Sequence, residues 1–334
     1  MNTMTDFATP AKPLERDRYG RPLIIPPGGG KPVPYTRCTT YVGVLEDTFN
    51  LSKWQQRMVA QGLAARPDLM LAVSALPLNG NMTAEDKRTL NGLCEQAMEA
   101  ASAHAAATVG TALHALAERH DKGEELGPIP DQYQPDLDAY INATAHLEMV
   151  QIETFGVHDG LRVGGTWDRI VRIDGQHYIA DLKTGSIDYG IGKIAMQLAV
   201  YSRCQQYDPD TGQRTPLPGV HQDRALIIHL PAGKGQAELK WVDIASGWQA
   251  VDLATQVRAW RARKDLTRPY IQSTAAAVEA GTEREAADAL RLAIDAAASV
   301  DELNQLWAAN QAIWSDTHTA AAAAKKTSLT ATAA

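Results

Sequence analysis

Cysteine is scarce in this chain. Its 334 residues hold three, Cys38, Cys94 and Cys204. They form no CxxC pair, which excludes a zinc ribbon and a disulfide framework. Three thiolates also fall short of the four that an ordinary iron–sulfur cluster takes, so no such cluster is expected. Long apolar runs are missing too. None approaches the ~20 residues of a membrane helix, and no membrane partner is expected. The opening MNTMTDFATPAKPLERDRYG lacks the apolar core of a signal peptide, so the expected location is cytoplasmic. No G-x-x-x-x-G-K-[ST] phosphate loop occurs, which removes a nucleotide-driven motor. Excess positive charge is also lacking. The formal net charge is −7, which weighs mildly against a partner held by bulk electrostatics alone, nucleic acid included.

What is present is a globular composition, 45% hydrophobic and 21% charged. Residues 1–33 are rich in Pro and Gly and read as a poorly ordered arm. A helical region follows over 34–150, with segments expected near 39–78, 83–122 and 134–151. Strands are expected at 152–158, 162–173, 176–183, 224–230 and 237–244, with helices at 191–206 and 247–264. Residues 271–319 read as a helical hairpin, in which Ser299 and Glu302 make an S-x-x-E cap. Residues 320–334 are a low-complexity Ala/Thr/Lys tail, expected to be frayed. Helices, then a mixed sheet with an intervening helix, then helices again give an α+β or α/β class. Local basic density exists at Arg162, Arg169, Arg172, Lys183, Lys193 and Arg203. A second group, Arg258, Arg261, Arg263, Lys264 and Arg268, reads as a solvated helix face.

The segment GGTWDRIVRIDGQHYIADLKTG, Gly164 to Gly185, is the most informative. Asp174-Gly175 between apolar runs is a strong hairpin signal, because a type I′ turn needs positive φ at both positions. Counting outward from that turn, Ile173 faces Gln176, Val171 faces Tyr178, and Asp168 faces Asp181. The two carboxylates would then have Cβ atoms roughly 5 Å apart. Like charges so placed are destabilising unless a cation lies between them. Lys183 shares a face with Asp181 because side chains alternate along a strand. Two acids and a lysine in one patch suit metal-assisted hydrolysis.

Other positions are weaker by themselves. His114, within VGTALHALAE, has Leu113 and Leu116 beside it and reads first as a packing residue. Glu118 is one turn on, able to orient the ring or to sit at the surface. Lys193, Gln197 and Tyr201 share one helix face at four-residue spacing. The stripe Ile191, Ile194, Ala195 and Leu198 would pack on the sheet.

Taken together, GTALHALAE, GGTWDRIV, IADLKTG and QLAVY, in that order, resemble the motifs of the PD-(D/E)XK nuclease superfamily. More narrowly they resemble its RecB-like exonuclease branch, over roughly residues 105–230. The opening YTRCTTYVGVLEDTFNLSKW is similar to the start of phage-encoded members. The resemblance implies a restriction-endonuclease-like core over 151–270, a central mixed sheet flanked by helices, with helical additions at both ends. It implies that His114 is a metal ligand rather than a packing residue. Asp168 and Asp181 would be metal-binding acids, with Lys183 the lysine of the D-x-K pair. Gln197 and Tyr201 match the Q-x-x-x-Y motif that lies near DNA. Relatives with an iron–sulfur cluster use four cysteines, and this chain departs from them there.

The implied activity is metal-dependent exonucleolytic hydrolysis of DNA, in phage recombination or repair. Mg²⁺ or Mn²⁺ would be held by His114, Asp168, Asp181 and the Leu182 backbone carbonyl. Lys183 would orient water and offset charge. Gln197, Tyr201, Arg169 and Lys193 would hold the DNA backbone. A single-strand annealing recombination protein is a partner suggested by the resemblance alone, and a homo-oligomer is left open. Two other readings stay open: a non-catalytic nucleic-acid-binding protein with the same fold, and a different His/carboxylate metalloenzyme such as an iron oxygenase.

Overall fold

The computed structural model describes residues 13–77, 80–103, 105–267 and 275–332. The chain divides into two compact units, Met1–Arg263 and Lys264–Ala334. The boundary expected near residue 150 does not separate units, because Leu113, Ala117 and Tyr140, on helices before it, pack onto the sheet after it.

The first unit opens with β1 (Leu23–Ile24), β2 (Val33–Pro34) and β3 (Thr36–Arg37). Helices α1 (Cys38–Val42), α2 (Phe49–Ala65), α3 (Pro67–Ser74), α4 (Ala84–Ala100), α5 (Ala105–Asp121) and α6 (Gln134–Thr144) follow. Then come β4 (Glu148–His158), β5 (Val163–Ile173), β6 (Gln176–Lys183) and α7 (Ile191–Tyr201). The unit closes with β7 (Gln205–Tyr207), β8 (Arg214–Pro216), β9 (Arg224–His229), β10 (Glu238–Asp243) and α8 (Ile244–Ala262). The class is the expected one, a mixed sheet flanked by helices. The sheet order is β10-β9-β6-β5-β4-β7-β8, with β3 paired to β5. The β6–β9 and β3–β5 pairs are parallel. A parallel pair needs a crossover, and the chain from α7 through β8 supplies it between β6 and β9.

The two faces of the sheet carry separate cores. Trp167, Ile170, Ile179 and Ile227 pack with α1, α7 and α8. Val171, Ala180, Leu182 and Ile228 pack with Leu113 and Ala117 of α5 and Tyr140 of α6. This two-sided burial explains the near-continuous apolar reading of β5 and β6.

Several expected elements break or move. The single helical stretch 39–78 is three helices, because Pro67 cannot continue α2 and starts α3 instead. The stretch 83–122 is two, interrupted where Ser102 takes φ 57°. The helix expected to run to 151 ends at Thr144, and β4 begins at Glu148 because it pairs along β5. The helix expected to reach 206 ends at Tyr201, and the unforeseen β7 and β8 extend the sheet edge. The N-terminal arm is structured from residue 13. Ile24 is fully buried among Tyr35, Val157 and Tyr207, and the Ile25 N–H donates to the Tyr207 hydroxyl at 2.9 Å. Residues 1–12 of that arm, and Arg268, lie outside the described residues.

The second unit contains α9 (Ala275–Ala296), α10 (Val300–Ala309) and α11 (Asp316–Thr332). Leu290, Ile294, Ala297, Leu303 and Ala321 form its core. The tail from 320 is therefore helix over its described length. Alanine is the strongest helix former, and Ala321 has a core to pack into. The Ser299 hydroxyl accepts the Glu302 N–H at 3.2 Å, while the Glu302 carboxylate takes the Ala298 N–H at 2.8 Å.

Gly247 lets α8 lie on α7, since a Cβ there would sit 2.5 Å from the Ala195 carbonyl oxygen. A backbone atom cannot yield as a flexible side chain can. Gly247→Ala is expected to lower stability by about 1–3 kcal/mol, read as a fall in urea midpoint at unchanged slope.

Candidate active site

The turn at the head of the hairpin is as the residues demand: Asp174 has φ 49° and Gly175 φ 81°. The counted register holds over five pairs, from Ile173↔Gln176 to Arg169↔Ala180. Backbone pairing stops there, one step before Asp168 and Asp181. Beyond it β6 stays with β9, through Asp181↔Ile227 to Lys183↔His229, and leaves β5. The Asp168 carboxylate fills the lost ladder position by accepting the Leu182 N–H at 2.8 Å. The two acids are thus brought together at the mouth of a wedge between strands, rather than as a closed ladder pair.

Asp181 is 2% exposed and forms an ion pair with Lys183. Its Oδ2 has no hydrogen bond of good geometry. Burial first, then the Asp168 charge, pushes the Asp181 carboxyl up to about 7, against the pull of Lys183. That is the signature of an acid short of positive charge.

His114 reaches the wedge from α5. Leu113 and Ala117 anchor that helix on Leu182 and Ala180. Gly110, one turn earlier, permits the close approach, since a Cβ there would meet Thr184 Oγ1 at 2.5 Å. His114 Nδ1 lies 3.6 Å from Asp168 Oδ2. Burial holds the imidazole below its ordinary value, opposed by Asp168. A neutral imidazole is the form that ligates metal. Glu118, which could have oriented the ring, instead forms an ion pair with Lys122. A cleft of about 520 Å³ opens over His114 and Asp168, lined also by Gly110, Thr111, Glu118, Glu153 and Thr184, among others.

Glu153 is a site residue that sequence reasoning missed. The pairs Ile152↔Arg169 and Thr154↔Trp167 place it opposite Asp168 on β4. Its φ of 46° is left-handed, a conformation costing a non-glycine residue on the order of 1–3 kcal/mol. Burial, and then the Asp168 and Glu118 charges, push its carboxyl up to about 7. An acid within the half-apolar run QIETF was the available signal. The β4–β5 connection has no two-residue turn from which to count a register.

The expected DNA-facing residues fare unevenly. Arg169 is 1% exposed and cannot reach a solvent-borne phosphate, which corrects its assignment. Its Nε donates to Asp121 at 2.5 Å, and the Tyr140 hydroxyl donates to the same carboxylate oxygen at 2.6 Å. Its Nη2 has no partner. Because Asp121 shares α5 with His114 and Arg169 follows Asp168, this buried pair ties the helix to the strand. Tyr201 is also buried, its hydroxyl accepting from Gln197 at 3.3 Å. Gly165 makes room for that ring, since a Cβ there would lie 2.8 Å from it. Ile191, expected against the sheet, is 44% exposed instead. Lys193 is half-buried and pairs with Glu46 at 2.8 Å.

The donor types suit a hard divalent cation, carboxylates and one neutral imidazole, with the buried Asp181 Oδ2 held by Lys183. Among the described residues, no three His, Cys, Asp or Glu side chains form a ready-made ligand group; the Lys183 ammonium lies against Asp181. No helix among the described residues is long and apolar enough to cross a membrane. Against known proteins, the chain matches no family model and no curated sequence.

Two outcomes follow. A raised carboxyl means that the native state binds more protons than the unfolded chain between about pH 4 and 7. Stability from this group is present at low pH and falls as pH rises through that window. Asp181→Asn is therefore expected to gain thermal stability over wild type at pH 8 relative to pH 5, in melting curves with EDTA. Asp121→Ala leaves Arg169 buried and unpaired and is expected to cost about 3–5 kcal/mol. Asp121→Leu with Arg169→Met should recover most of that loss in denaturant titrations.

Proposed function

We propose that this protein is a divalent-metal-dependent nuclease that hydrolyses phosphodiester bonds in DNA. The reading follows the RecB-like exonucleases that its motifs resemble. The observation that carries it is the wedge between β5 and β6. There the chain buries Asp181, sets the half-buried Asp168 beside it, and brings Lys183 and His114 to them.

His114, Asp168, Asp181 and the Leu182 carbonyl would hold Mg²⁺ or Mn²⁺, with Glu153 as a further carboxylate at the rim. Such an ion supplies an acidified water and charge neutralisation at the phosphate. The remaining work belongs to the chain. Lys183, an ammonium beside Asp181, orients the attacking water and offsets charge developing on the phosphate oxygens. The Leu182 N–H fixes the Asp168 carboxylate, which lines the cleft. Gln197 and Lys193 would hold the DNA backbone only by exchanging their present partners, Tyr201 and Glu46; such contacts position a strand without reading its sequence. Tyr201 acts through Gln197 and not by direct contact. Exonuclease action and a role in phage recombination with a single-strand annealing partner belong to the same proposal and rest on the resemblance; a cytoplasmic location belongs to it too and rests on the lack of an apolar signal core in the opening residues.

Purified protein incubated with linear and closed circular DNA, with Mg²⁺, Mn²⁺ or EDTA, tests this. The expected result is metal-dependent loss of linear DNA, reduced about 100-fold or more in Asp181→Ala and Lys183→Ala. Wild-type cleavage in both variants would sink the site assignment. Cutting of closed circles would remove the exonuclease part.

A further inference from the structure

The wedge has two arms, β5 with Asp168 and β6 with Asp181 and Lys183. The backbone ladder between them stops at Arg169↔Ala180. Beyond it the Leu182 N–H crosses the gap to the Asp168 carboxylate. One bond to a side chain that turns about two torsions does not fix a separation, so the gap is set from outside the hairpin. On the β6 side the chain is held by the segment that leaves β9. The Leu230 N–H donates to the Lys183 carbonyl at 2.8 Å, and the Ala232 N–H to the Thr184 carbonyl at 3.0 Å. His229 Nε2 lies 3.1 Å from the Gly185 carbonyl oxygen. Three consecutive carbonyls, beginning at Lys183, are thus fastened to residues 229–232.

The far end of that segment is clamped by α6. Asp136, in the first turn of α6, is 1% exposed. Its carboxylate accepts the Gly233 N–H at 2.6 Å and the Gly235 N–H at 2.7 Å. Both glycines have positive φ, 74° and 60°, a conformation that residues with side chains resist. The loop therefore takes one particular shape against one buried charge. Tyr140 stands four residues on, on the same helix face, and is fully buried. Its hydroxyl donates to Asp121, the carboxylate that also holds Arg169, the residue after Asp168. One helix thus reaches both arms. Asp136 acts through the loop on Lys183, and Tyr140 through Asp121 and Arg169 on Asp168.

We infer that α6 is a brace that sets the opening of the wedge, with Asp136 and Tyr140 as positioning residues. The Tyr140 ring packs into the core on this face of the sheet, and apolar contact of that kind has no direction. The hydroxyl and the Asp136 carboxylate supply direction, each toward a different arm. Together they fix Lys183 relative to Asp168, the separation on which the orientation of water and the neutralisation of phosphate charge depend. A misplacement of about 1 Å by a change away from the chemistry can cost about 100-fold in rate. The catalytic purpose of the brace rests on the hydrolytic reading, whereas its mechanical part does not.

The test reads the gap and the reaction separately. Asp136→Asn keeps one acceptor oxygen and sets an amide N–H₂ against the second loop N–H. Tyr140→Phe keeps the ring and loses the hydroxyl. Asp138→Asn, on the exposed side of α6, is the control, and melting curves show that each variant is folded. Hydrogen exchange of the Leu182 amide, followed by NMR on ¹⁵N-leucine-labelled protein in EDTA, reports the bond across the gap. Exchange of the Leu226 amide, within β9, reports the sheet around it. Leu182 is expected to exchange about tenfold faster or more in both variants, with Leu226 unchanged. On linear DNA with Mg²⁺, kcat is expected to fall about tenfold or more while KM stays within about twofold. The control should match wild type in every reading. Wild-type exchange at Leu182 in either variant, or equal acceleration of Leu182 and Leu226, overturns the brace even where cleavage is metal-dependent. Faster exchange at Leu182 with wild-type kcat overturns its role in positioning. Faster exchange at Leu182 in both variants, with no cleavage by the wild-type protein under any metal, overturns the hydrolytic reading and leaves the brace standing.

Discussion

The parting of β5 from β6 after Arg169 and Ala180 is the constraint on which the rest of this structure depends. A strand has two hydrogen-bonding edges, and β6 uses one for β9 and the other for β5. Here β6 is committed to β9 by a parallel ladder over its last four residues. Its other edge follows β5 only as far as Arg169↔Ala180, and further along β5 that same edge is taken by β3 at Val163 and Gly164. The wedge that results breaks the backbone ladder where two carboxylates stand. Asp168 repairs one lost bond with its side chain, and Asp181 is left under-compensated in the interior.

Everything around the wedge holds it in place. On one face, α5 is anchored by Leu113 and Ala117 and brings His114 to Asp168. The Asp121–Arg169 pair locks that helix to β5 at a depth where water cannot compete. On the other face, α7 seats Tyr201 against Gly165, and Gly247 allows α8 to cover α7 closely. Buried ion pairs add little net stability but are costly to break. That suits a pair whose role is to fix one helix against one strand.

Charge is distributed unevenly along the open side of β5. The acids and Lys183 are concentrated at one end, and at the other stand arginines, Arg16 and Arg37, with no carboxylate partner among the described residues. A polyanion meeting this surface would find attraction at the arginine end and, without a cation, repulsion at the acid end. A chain of net charge −7 can thus present a local positive site, which its overall charge conceals.

The sequence by itself determined the hairpin, because Asp174-Gly175 admits essentially one tight turn and the turn dictates the register. It also determined the chemical kinds at the site, since acids within apolar strands demand compensation. Tertiary structure alone decided the rest. Glu153 came opposite Asp168 through a connection whose register cannot be counted. Arg169, next to an acid in a basic stretch, turned inward because Asp121 lay one helix away. Tyr201 was buried by a glycine on β5, and the N-terminal arm became part of the core through Ile24. The division has a physical cause. Local turn geometry is written in two adjacent residues, whereas the partner of a buried charge is chosen by packing between segments tens of residues apart.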